Sequence, residues 1–600
     1  MDYASCRSLP AMFFEQAGRL GDKPFLWAKH DGRYRATSWA EAAREVRLLA
    51  RGLAALGIGR GDRVALVAEN RPEWVIADFA IMSAGAITVP AYVTNTVDDH
   101  RHVFATSGAA AVIVSKPPLS ARVLAAANQV ETLHTVIAIE PAAGQASAVD
   151  LVSWTDVLAK GDESAPDDIA ERVAELAPDD IACLIFTSGT GGTPKGVMTT
   201  HRNILANCRG AFRLLEILGL GDEVFLSFLP LSHSYEHTAG MMFPVSIGAQ
   251  IYFAEGADTL AANLLEARPT IMTAVPRLYE TMHRRITLGV ERKGAMARRM
   301  FDKAVAIGRK RAAFANPNVG ERLLEPLLDR SVRAGLRRRF GGRLKAMVSG
   351  GAALNPEIGS FFLALGVRLL QGYGQTEAAP VIACNVPSRI KIDTVGPPLD
   401  GVEVRIAEDG EILVAGDNVM KGYWNDPQAT AQALVEGWLH TGDVGWVDDD
   451  GCIRITDRKR DFIKNSGGEM ISPARVEGYL TLEPEIAQAM VFGDRRPYLV
   501  AVLVPETELA AAFAAANGVP ADMAAIAADP RFAKTIGAAV ARVNRALAPI
   551  ERVRRFVIAG EPFTIANGQM TPTMKVKRHA IREAYGAAVE ALYDGKGIAA

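Results

Sequence analysis

Short apolar runs alternate with longer amphipathic segments along the first two thirds of the chain. The longest of these runs, Ile181 to Phe186, is typical of a strand that is covered on both faces. Helical patterns such as Pro72 to Ala84 lie between the runs, which favours an α/β fold with largely parallel sheets. The other predicted strands are Arg63 to Val67, Ala111 to Val114, Thr135 to Ile139, Gln250 to Phe253, Ile271 to Val275, Ala346 to Val348 and Arg368 to Gln371.

The pattern changes at Gly396, where short apolar runs are separated by Asp and Gly turns. These runs predict a small β-rich subdomain at about 396–456, with strands at Val402 to Ile406, Glu411 to Val414, Trp446 to Val447 and Cys452 to Thr456. The charged stretch Asp457 to Asp461 follows it and is a plausible linker. We therefore expect a large N-terminal domain over residues 1–459 and a smaller α+β domain over 460–600, with an Ala-rich helical stretch at Ala510 to Ala528.

Length and composition bound the class of protein. The chain has 600 residues, which is too long for one compact core, and its 49% hydrophobic and 22% charged residues exclude a largely disordered chain. A formal charge of −2 gives no reason to expect nucleic acid as a partner. Two long uncharged runs, Phe79 to Val97 and Thr238 to Ala254, are interrupted by Gly and Pro, so we expect buried strand and helix pieces there rather than membrane spans.

Cysteine usage and the N-terminus indicate the compartment. The five cysteines are scattered and form no C-x-x-C pair, which argues against a disulfide scaffold or a structural zinc site. The apolar patch Leu9 to Phe14 is too short for a signal peptide. We therefore expect a cytoplasmic protein, with a peripheral position at the inner face of the membrane as a further expectation.

That further expectation comes from one local excess of charge. The segment Arg284 to Lys345 holds eighteen Lys and Arg against five Asp and Glu, a local charge of +13. Solvated faces of surface helices are the more common explanation. The alternative is attraction to an anionic membrane surface.

The sharpest chemical signal follows the strand at Ile181 to Phe186. The stretch Thr187 to Gly196 is rich in Gly, Ser and Thr and contains Lys195, so its backbone N–H groups and hydroxyls could wrap phosphate oxygens. It is not a Walker A loop, because Pro194 and Gly196 flank the lysine.

An ordered set of motifs resembles the AMP-forming acyl-CoA synthetases of the adenylate-forming superfamily, and in particular their long-chain branch. The set starts with the loop above and spans residues 187 to 578. The other motifs are Leu229-Pro230-Leu231-Ser232-His233, Ser349-Gly350-Gly351-Ala352, Gln371-Gly372-Tyr373-Gly374-Gln375-Thr376-Glu377, Gly422-Tyr423-Trp424, His440-Thr441-Gly442-Asp443, Asp457-Arg458-Lys459-Arg460-Asp461 with Gly467-Gly468, and Thr571-Pro572-Thr573-Met574-Lys575-Val576-Lys577-Arg578.

The resemblance implies a two-step reaction on a medium- to long-chain fatty acid. The carboxylate attacks the α-phosphorus of MgATP to give acyl-AMP and pyrophosphate, and the thiol of coenzyme A then displaces AMP. Mg²⁺ is the implied cofactor, and ATP and coenzyme A are co-substrates. Because charge builds on the phosphates during the transfer, positioning and electrostatic stabilisation are the protein's main tasks.

The resemblance also implies a role for each matching position. The phosphates would be held by Thr187, Ser188, Gly189, Thr190, Gly191 and Lys195, although Gly191 stands where the family often has Thr. Gly350, Gly351, Ala352, Gln371, Gly372 and Tyr373 would form the adenine site. Thr376 would contact the α-phosphate, Glu377 would bind Mg²⁺, and Asp443 with Arg458 would hold the ribose. His233 would form a wall of the acyl and nucleotide site.

The same resemblance implies a mobile C-terminal domain. Lys575 would bridge acyl and phosphate oxygens during adenylation, with Met574 in place of the more common Gly, and Lys577 as a nearby competitor. Arg460 matches the hinge about which the domain swings between the two half-reactions. Gly467 and Gly468 match the channel through which the thiol of coenzyme A enters.

Three other functions remain open on the sequence. The segment His233-Ser234-Tyr235-Glu236-His237 fits the zinc-peptidase pattern H-x-x-E-H, although Leu229-Pro230-Leu231 before it favours a strand end and loop. A fatty acyl-AMP ligase would stop at the adenylate and pass it to a carrier protein. A catalytically idle acyl-binding protein would not need the phosphate loop, Glu377, Asp443 and Lys575.

Overall fold

A computed structural model describes residues 1–163, 167–187, 193–256, 258–313, 315, 317–571, 575–595 and 598–599. Strands β1 to β27 and helices α1 to α21 are numbered along the chain within these residues. Two eight-stranded sheets, a five-stranded β-rich sheet, a two-stranded hairpin and a four-stranded sheet near the C-terminus make up the β-structure of the described residues.

The first large sheet is parallel in its interior and antiparallel at both edges. Its strands lie side by side in the order β15 (Val381–Cys384), β14 (Leu369–Gly374), β13 (Ala346–Ser349), β12 (Ile271–Ala274), β10 (Val224–Ser227), β11 (Gln250–Phe253), β1 (Pro24–His30) and β2 (Arg33–Ser38).

The second large sheet is parallel except at one edge, where two antiparallel ladders follow one another. Its order is β18 (Gly422–Tyr423), β9 (Lys195–Thr200), β8 (Ile181–Thr187), β4 (Ile87–Pro90), β3 (Arg63–Val67), β5 (Ala111–Val114), β6 (Thr135–Ala138) and β7 (Asp150–Ser153).

Two smaller groups of strands follow along the chain. The β-rich sheet is antiparallel and contains β16 (Val402–Ile406), β17 (Glu411–Gly416), β19 (Leu434–Val435), β20 (Trp438–Val447) and β21 (Ile453–Arg458). The C-terminal part contains the hairpin of β22 (Ile463–Lys464) and β23 (Met470–Ile471), and a sheet of β24 (Ile486–Phe492), β25 (Leu499–Pro505), β26 (Val553–Ile558) and β27 (Ile598–Ala599).

Helices connect the strands and cover the sheets. Many begin at a side-chain cap or with Pro in the first turn; Ser38 and Thr200, for example, each close a capping box. The helices are α1 (Leu9–Leu20), α2 (Trp39–Ala55), α3 (Pro72–Ser83), α4 (Val97–Ser107), α5 (Pro117–Ala127), α6 (Trp154–Glu163), α7 (Ile169–Glu175), α8 (His201–Leu215), α9 (Phe243–Ile247), α10 (Leu260–Ala267), α11 (Pro276–Glu291), α12 (Ala295–Ala312), α13 (Val319–Leu328), α14 (Ala334–Arg339), α15 (Pro356–Ala364), α16 (Pro427–Ala433), α17 (Pro473–Leu480), α18 (Thr507–Asn517), α19 (Met523–Ala527), α20 (Pro530–Ala546) and α21 (Arg578–Tyr593).

The hydrophobic cores follow the same division. One large cluster of buried side chains lies between and around the two large sheets, and it includes Trp39, Trp74 and Phe79. The residues after 460 build two clusters of their own on the faces of the C-terminal sheet. The predicted α/β class is thus confirmed, whereas the boundary between residues 459 and 460 stays a prediction.

The predicted elements are found with small shifts at their ends. Seven of the eight predicted α/β strands agree with the structure within one or two residues at each end, and the last, predicted at Arg368 to Gln371, extends to Gly374. The run Phe79 to Val97 contains the end of α3 and the strand β4, as expected of buried pieces. Among the described residues, no helix combines the length and apolar character needed to cross a bilayer.

One local prediction is wrong. The segment after Leu231 was expected to be a strand end and loop, but Glu236–Met242 form a π-helix that continues directly into α9. Pro230 ends the extended stretch before it. It lies outside the helix, so it does not prevent the residues that follow from becoming helical. Metal binding at this segment therefore has to be judged from its side chains.

Candidate active site

The predicted ribose contacts come together on neighbouring strands. Asp443 on β20 and Arg458 on β21 are register partners, and the Arg458 Nε lies 3.3 Å from Asp443 Oδ1. Tyr373 on β14 donates its hydroxyl to Asp443 Oδ2 at 2.7 Å. Burial raises the pKa of Asp443, and Arg458 and the Tyr373 hydroxyl oppose that shift. Tyr373 and Arg458 thus hold the Asp443 carboxylate in a fixed orientation.

Tyr373 makes a contact that the sequence did not predict. Its hydroxyl fixes Asp443, 70 residues away along the chain, while the expected contact of its ring with adenine stays a prediction. Only 9% of Tyr373 is exposed, so most of its ring is packed within the protein. Gln371, on the same strand, has a buried Oε1 that finds no hydrogen-bond partner among the described residues.

A short 3₁₀-helix, Thr376–Ala378, follows β14 and carries the next two predicted residues. The Thr376 and Ser234 hydroxyls lie 3.0 Å apart. Glu377 Oε1 accepts a hydrogen bond from the Tyr423 hydroxyl at 2.8 Å. The Glu377 carboxylate is therefore oriented by Tyr423.

Tyr423 also contacts the predicted phosphate lysine. Lys195 Nζ lies 5.2 Å from the centroid of the Tyr423 ring and 3.6 Å from Asp426 Oδ2. Tyr423 therefore connects the lysine with the carboxylate of Glu377. The sequence assigned Tyr423 no role, although its place in the Gly422-Tyr423-Trp424 motif was a signal that could have found it.

The phosphate loop is described only at its two ends. Thr187 ends β8 and Lys195 begins β9, and the two are register partners in an antiparallel hairpin. The hairpin thus fixes both ends of the loop. The predicted contacts Ser188, Gly189, Thr190 and Gly191 lie outside the described residues.

Gly350 and Gly351 follow β13, and Gly350 meets a protein group rather than open space. A Cβ at Gly350 would lie 2.8 Å from the Tyr235 ring, whose hydroxyl donates to the Val348 carbonyl at 2.9 Å. Gly351 has a φ of +82°, which favours glycine. Ala352 is exposed next to them. The loop therefore needs glycine at 350 to pack against Tyr235.

His233 is a neutral side chain with one free nitrogen. Its Nδ1 accepts a hydrogen bond from the Tyr235 backbone N–H at 3.1 Å, which leaves the proton of the neutral ring on Nε2. Burial, together with the positive charge of Lys575, lowers the pKa of His233 to about 3. His233 can therefore donate a hydrogen bond but is not protonated near neutral pH.

The rest of the H-x-x-E-H segment is used in packing. Glu236 is fully buried and accepts hydrogen bonds from the Ser227 and Thr273 hydroxyls, both at 2.7 Å. His237 Nε2 lies 2.9 Å from Asp78 Oδ2, with both side chains buried. In the part of the chain that the structure describes, no group of three His, Cys, Asp or Glu is placed to hold a metal. The arrangement gives the zinc-peptidase interpretation no support.

Lys575 reaches the site from the C-terminal part. Its pKa is lowered to about 8 by desolvation first and then by Arg458, while Asp443 and Glu377 act in the opposite direction. Lys575 is nevertheless exposed to solvent. Its ammonium group is therefore only partly desolvated. Pro572, Thr573 and Met574 lie outside the described residues.

Contacts outside the site hold the C-terminal part in this position. Arg277 donates to the Ala487 carbonyl at 2.7 Å, and Asn355 donates to the Gly478 carbonyl at 2.9 Å. Arg284 also forms an ion pair with Glu506. This docking is what directs Lys575 toward Asp443 and Glu377.

The predicted hinge and thiol-channel residues lie in exposed turns. Arg460 is exposed in the turn after β21. Gly467 and Gly468 are exposed in the turn between β22 and β23. An added Cβ at Gly467 would meet only Asn465 and Glu469 side chains, and at Gly468 it would meet nothing within 4 Å.

Known protein families match nearly the whole chain. Residues 13–424 match the family described as AMP-binding enzyme, and residues 460–597 match the AMP-binding enzyme C-terminal domain. The long-chain-fatty-acid–CoA ligase FadD15 of Mycobacterium tuberculosis is 34% identical over 598 residues, which cover 98% of this chain and 97% of the relative. Long chain acyl-CoA synthetase 7, peroxisomal, of Arabidopsis thaliana is 30% identical over 589 residues, covering 94% of this chain and 82% of the relative.

Solved structures share the fold at lower identity. The adenylation domain of the carboxylate reductase from Mycobacterium chelonae superposes with a TM-score of 0.78 at 22% identity, covering 98% of this chain and 91% of that chain. A benzoate CoA ligase from Burkholderia xenovorans superposes with a TM-score of 0.70 at 23% identity, covering 96% and 100% of the two chains.

Proposed function

Because this chain belongs to the AMP-binding enzyme family, we propose that it converts a medium- to long-chain fatty acid to its coenzyme A thioester at the expense of ATP. In the first step a carboxylate oxygen attacks the α-phosphorus, the bond to pyrophosphate breaks, and acyl-AMP forms. In the second step the thiol sulfur attacks the acyl carbon, loses its proton, and releases AMP. The fatty acid as substrate is supported by relatives of 30–34% identity whose names describe long-chain acids.

The observation that carries this proposal is that Lys575 from the C-terminal part lies within range of the charges of Asp443 and Glu377 from the rest of the chain. The pKa of Lys575 responds to the charges of both carboxylates and of Arg458. A cation beside a fixed carboxylate pair is suited to a reaction in which negative charge moves between phosphate and acyl oxygens.

The protein groups divide the work of binding ATP. Asp443, held by Tyr373 and Arg458, is oriented to accept hydrogen bonds from the ribose hydroxyls. Lys195 and the loop that begins at Thr187 would bind the outer phosphates, and Thr376 the α-phosphate.

Glu377 is the residue that would hold Mg²⁺. Mg²⁺ is usually bound by one or two carboxylates together with substrate phosphates and water, and Glu377 supplies one partly exposed carboxylate next to the phosphate lysine. When bound, the ion supplies positive charge to the phosphate oxygens. Tyr423 keeps the carboxylate in place through its hydroxyl.

His233 and Lys575 act on the reacting groups without taking a proton. The neutral His233 ring offers an Nε2–H donor at the wall of the site, and a pKa lowered to about 3 by burial makes the ring a poor general base. Lys575, with a pKa of about 8, is largely charged at neutral pH and can bridge the acyl and phosphate oxygens.

The second step requires another position of the C-terminal domain. We propose that this domain starts at the hinge residue Arg460 and rotates so that Lys575 leaves and Gly467 with Gly468 approach the acyl-AMP. Their exposure in a glycine turn leaves room for a pantetheine arm to pass close to the backbone.

The free cysteines and the local charge support a proposal for where in the cell the protein acts. The five cysteines are free, which is compatible with the reducing environment of the cytoplasm. We further propose peripheral contact with an anionic membrane at its inner face through the segment Arg284 to Lys345, whose local charge is +13.

The test is a panel of fatty acids of increasing chain length with ATP and coenzyme A, in which AMP and acyl-CoA are both quantified. We expect equal amounts of the two products, and an Asp443→Asn variant should lose both. AMP release or acyl-AMP accumulation without thioester would show the fatty acyl-AMP ligase instead. Failure to form AMP with every acid would refute the proposal.

A further inference from the structure

Helix α13 has its polar and apolar faces arranged opposite to those of an ordinary surface helix. Its side chains at positions 319, 323 and 327 point to solvent on one face, with exposed fractions of 75% for Val319, 77% for Leu323 and 55% for Leu327. Leu324, next to them, is 40% exposed. A surface helix normally turns such an apolar stripe toward the core.

The inner face of α13 carries two acids beside the buried Leu328. Glu321 is 7% exposed, and its Oε1 lies 2.6 Å from Lys310 Nζ on α12. Glu325 pairs at 2.6 Å with Arg333, which is itself buried and donates to the Ala364 carbonyl. These ion pairs fix the rotation of α13, so its apolar face cannot turn inward without breaking them.

Exposed apolar side chains are concentrated in this region. Of the fifteen large hydrophobic residues that are exposed in the described chain, six lie between residues 288 and 327. Contiguous apolar patches on soluble proteins mark interaction surfaces, whereas scattered ones need no explanation. The patch therefore indicates a partner that covers it.

The charges around the patch indicate that the partner is negatively charged. Eight of the eighteen cations between Arg284 and Lys345 form ion pairs, and ten have no carboxylate within 4 Å among the described residues. Two of the ten, Arg322 and Arg330, lie on α13 or just beyond its C-terminal end. An apolar face surrounded by cations is complementary to an anionic lipid surface, because the cations can meet the headgroups while the apolar side chains meet the acyl chains.

A cleft that is also lined by apolar and cationic side chains opens beyond the end of α13. It has a volume of about 440 Å³, and Phe301, Leu336 and Leu365 are among its apolar lining residues. Lys293, Arg338 and Arg339 also line it and belong to the unpaired cations. Val332, which lines the cleft, packs against the same cluster as Leu328 of α13. The helix and the cleft are therefore neighbours.

We propose that α13 lies in the interfacial region of an anionic bilayer, with Val319, Leu323, Leu324 and Leu327 among the acyl chains and the neighbouring cations on the headgroups. This inference rests on the membrane contact proposed above and names the surface that makes it. The helix has 10 residues, too few to span a bilayer, so it lies in the plane of the interface.

The unpaired cations favour a bilayer over a second copy of the chain as the partner of this apolar face. A symmetric pair that buried these leucines would bring two sets of unpaired Lys and Arg together, and like charges at close range oppose association. An anionic bilayer covers the apolar face and neutralises the cations at once. Anchoring by side-chain insertion also differs from attraction by charge alone, because salt screens only the latter.

The experiment measures partition of the full-length protein onto vesicles of phosphatidylcholine with 30% phosphatidylglycerol and onto pure phosphatidylcholine. Leu323→Gln combined with Leu327→Gln is expected to lower partition onto the anionic vesicles by about tenfold or more, since burial of one leucine side chain alone is worth at least that factor. Leu265→Gln is the matched control, because Leu265 on α10 is 54% exposed and Leu327 is 55% exposed. It should bind as the wild type does.

Salt and charge variants separate insertion from attraction. At 0.5 M NaCl the wild type should keep measurable binding that the double leucine variant has lost. Lys293→Gln with Arg338→Gln and Arg339→Gln should reduce the preference for anionic over neutral vesicles. Unchanged partition of the double leucine variant, an equal loss in Leu265→Gln, or complete loss of wild-type binding in salt would each overturn the inserted helix.

Two further measurements keep the outcomes distinct. Sedimentation velocity in the absence of lipid should show the same monomeric species for the wild type and the double variant, and a wild-type dimer that the leucine changes dissociate would assign the face to a second copy and overturn the proposal. Ligase activity on a medium-chain fatty acid in the absence of vesicles should be unchanged in the double variant. If the wild type forms no AMP with any acid of the panel but binds vesicles, the proposed reaction fails while the lipid surface stands.

Discussion

Replacement of Lys575 by alanine tests the proposed first half-reaction most directly. The side chain approaches Asp443, Arg458 and Glu377 from the C-terminal part, and its charge is needed only in the position that the structure shows. We expect adenylation to fall a few hundredfold, because loss of one charged transition-state contact costs about 3–4 kcal/mol. Thioester formation from preformed acyl-AMP and coenzyme A should be nearly unaffected.

The pKa of Lys575 gives this prediction a second, independent measure. With a pKa of about 8, the ammonium group is mostly charged at pH 7 and mostly neutral at pH 9. Since kcat/KM reports ionisations of the free enzyme, kcat/KM for ATP in adenylation should fall about tenfold between these two pH values. Lys575→Arg keeps its charge over the whole range, so whatever activity it retains should lose this alkaline decline.

The assay follows pyrophosphate release for the first step and acyl-CoA formation from supplied acyl-AMP for the second. Lys577→Ala is the matched control, because Lys577 is the neighbouring lysine of the same motif and begins α21 as its N-cap. The assignment is wrong if Lys575→Ala impairs both steps equally, or if Lys577→Ala reproduces its effect.

Three other changes probe the hinge, the adenine loop and the buried acid. Arg460→Pro should spare adenylation and slow thioester formation, because proline restricts φ at the proposed hinge; equal loss of both steps in the two assays would contradict it. Gly350→Ala would place a Cβ 2.8 Å from the Tyr235 ring, so we expect a several-fold higher KM for ATP in steady-state kinetics, and an unchanged KM would show that the loop adapts freely. Burial raises the pKa of Glu236 to about 7 from an ordinary 4.5, so the folded state keeps a proton that the unfolded state loses and stability falls as pH rises from about 4.5 to 7. Glu236→Gln should therefore gain thermal stability over the wild type between pH 5 and pH 8 in melting experiments, and a pH-independent difference would argue against this.

The central strands could be predicted because burial on both faces leaves a plain sequence pattern. Ile181 to Phe186 is uniformly apolar, and the structure places it as β8 in the interior of a parallel-rich sheet. The ten-residue strand β20, in contrast, was predicted only at Trp446 and Val447. Gly442, Asp443 and Gly445 interrupt its pattern, because this strand carries the carboxylate of the candidate site and a bulge next to it.

Only part of the candidate site could likewise be predicted from the sequence. Motif order predicted that Asp443, Arg458 and Lys575 belong to one site, and their charges do act on one another. It could not predict that Tyr373 would fix Asp443 or that Tyr423 would contact both Glu377 and Lys195. Those contacts join residues that are far apart along the chain, and no local pattern encodes which hydroxyl meets which carboxylate.

Helix α13 shows why charge counting alone was insufficient. From the sequence, the basic segment around it indicated either solvated helix surface or attraction to an anionic membrane, and the apolar positions of α13 would ordinarily be assigned to the core. The ion pairs of Glu321 with Lys310 and of Glu325 with Arg333 reverse that assignment, because they are made on the inner face. Partly buried ion pairs such as these add little net stability, since desolvation offsets much of their attraction. They do fix orientation, and here the orientation exposes leucines beside unpaired cations, which is a surface for lipid rather than for water.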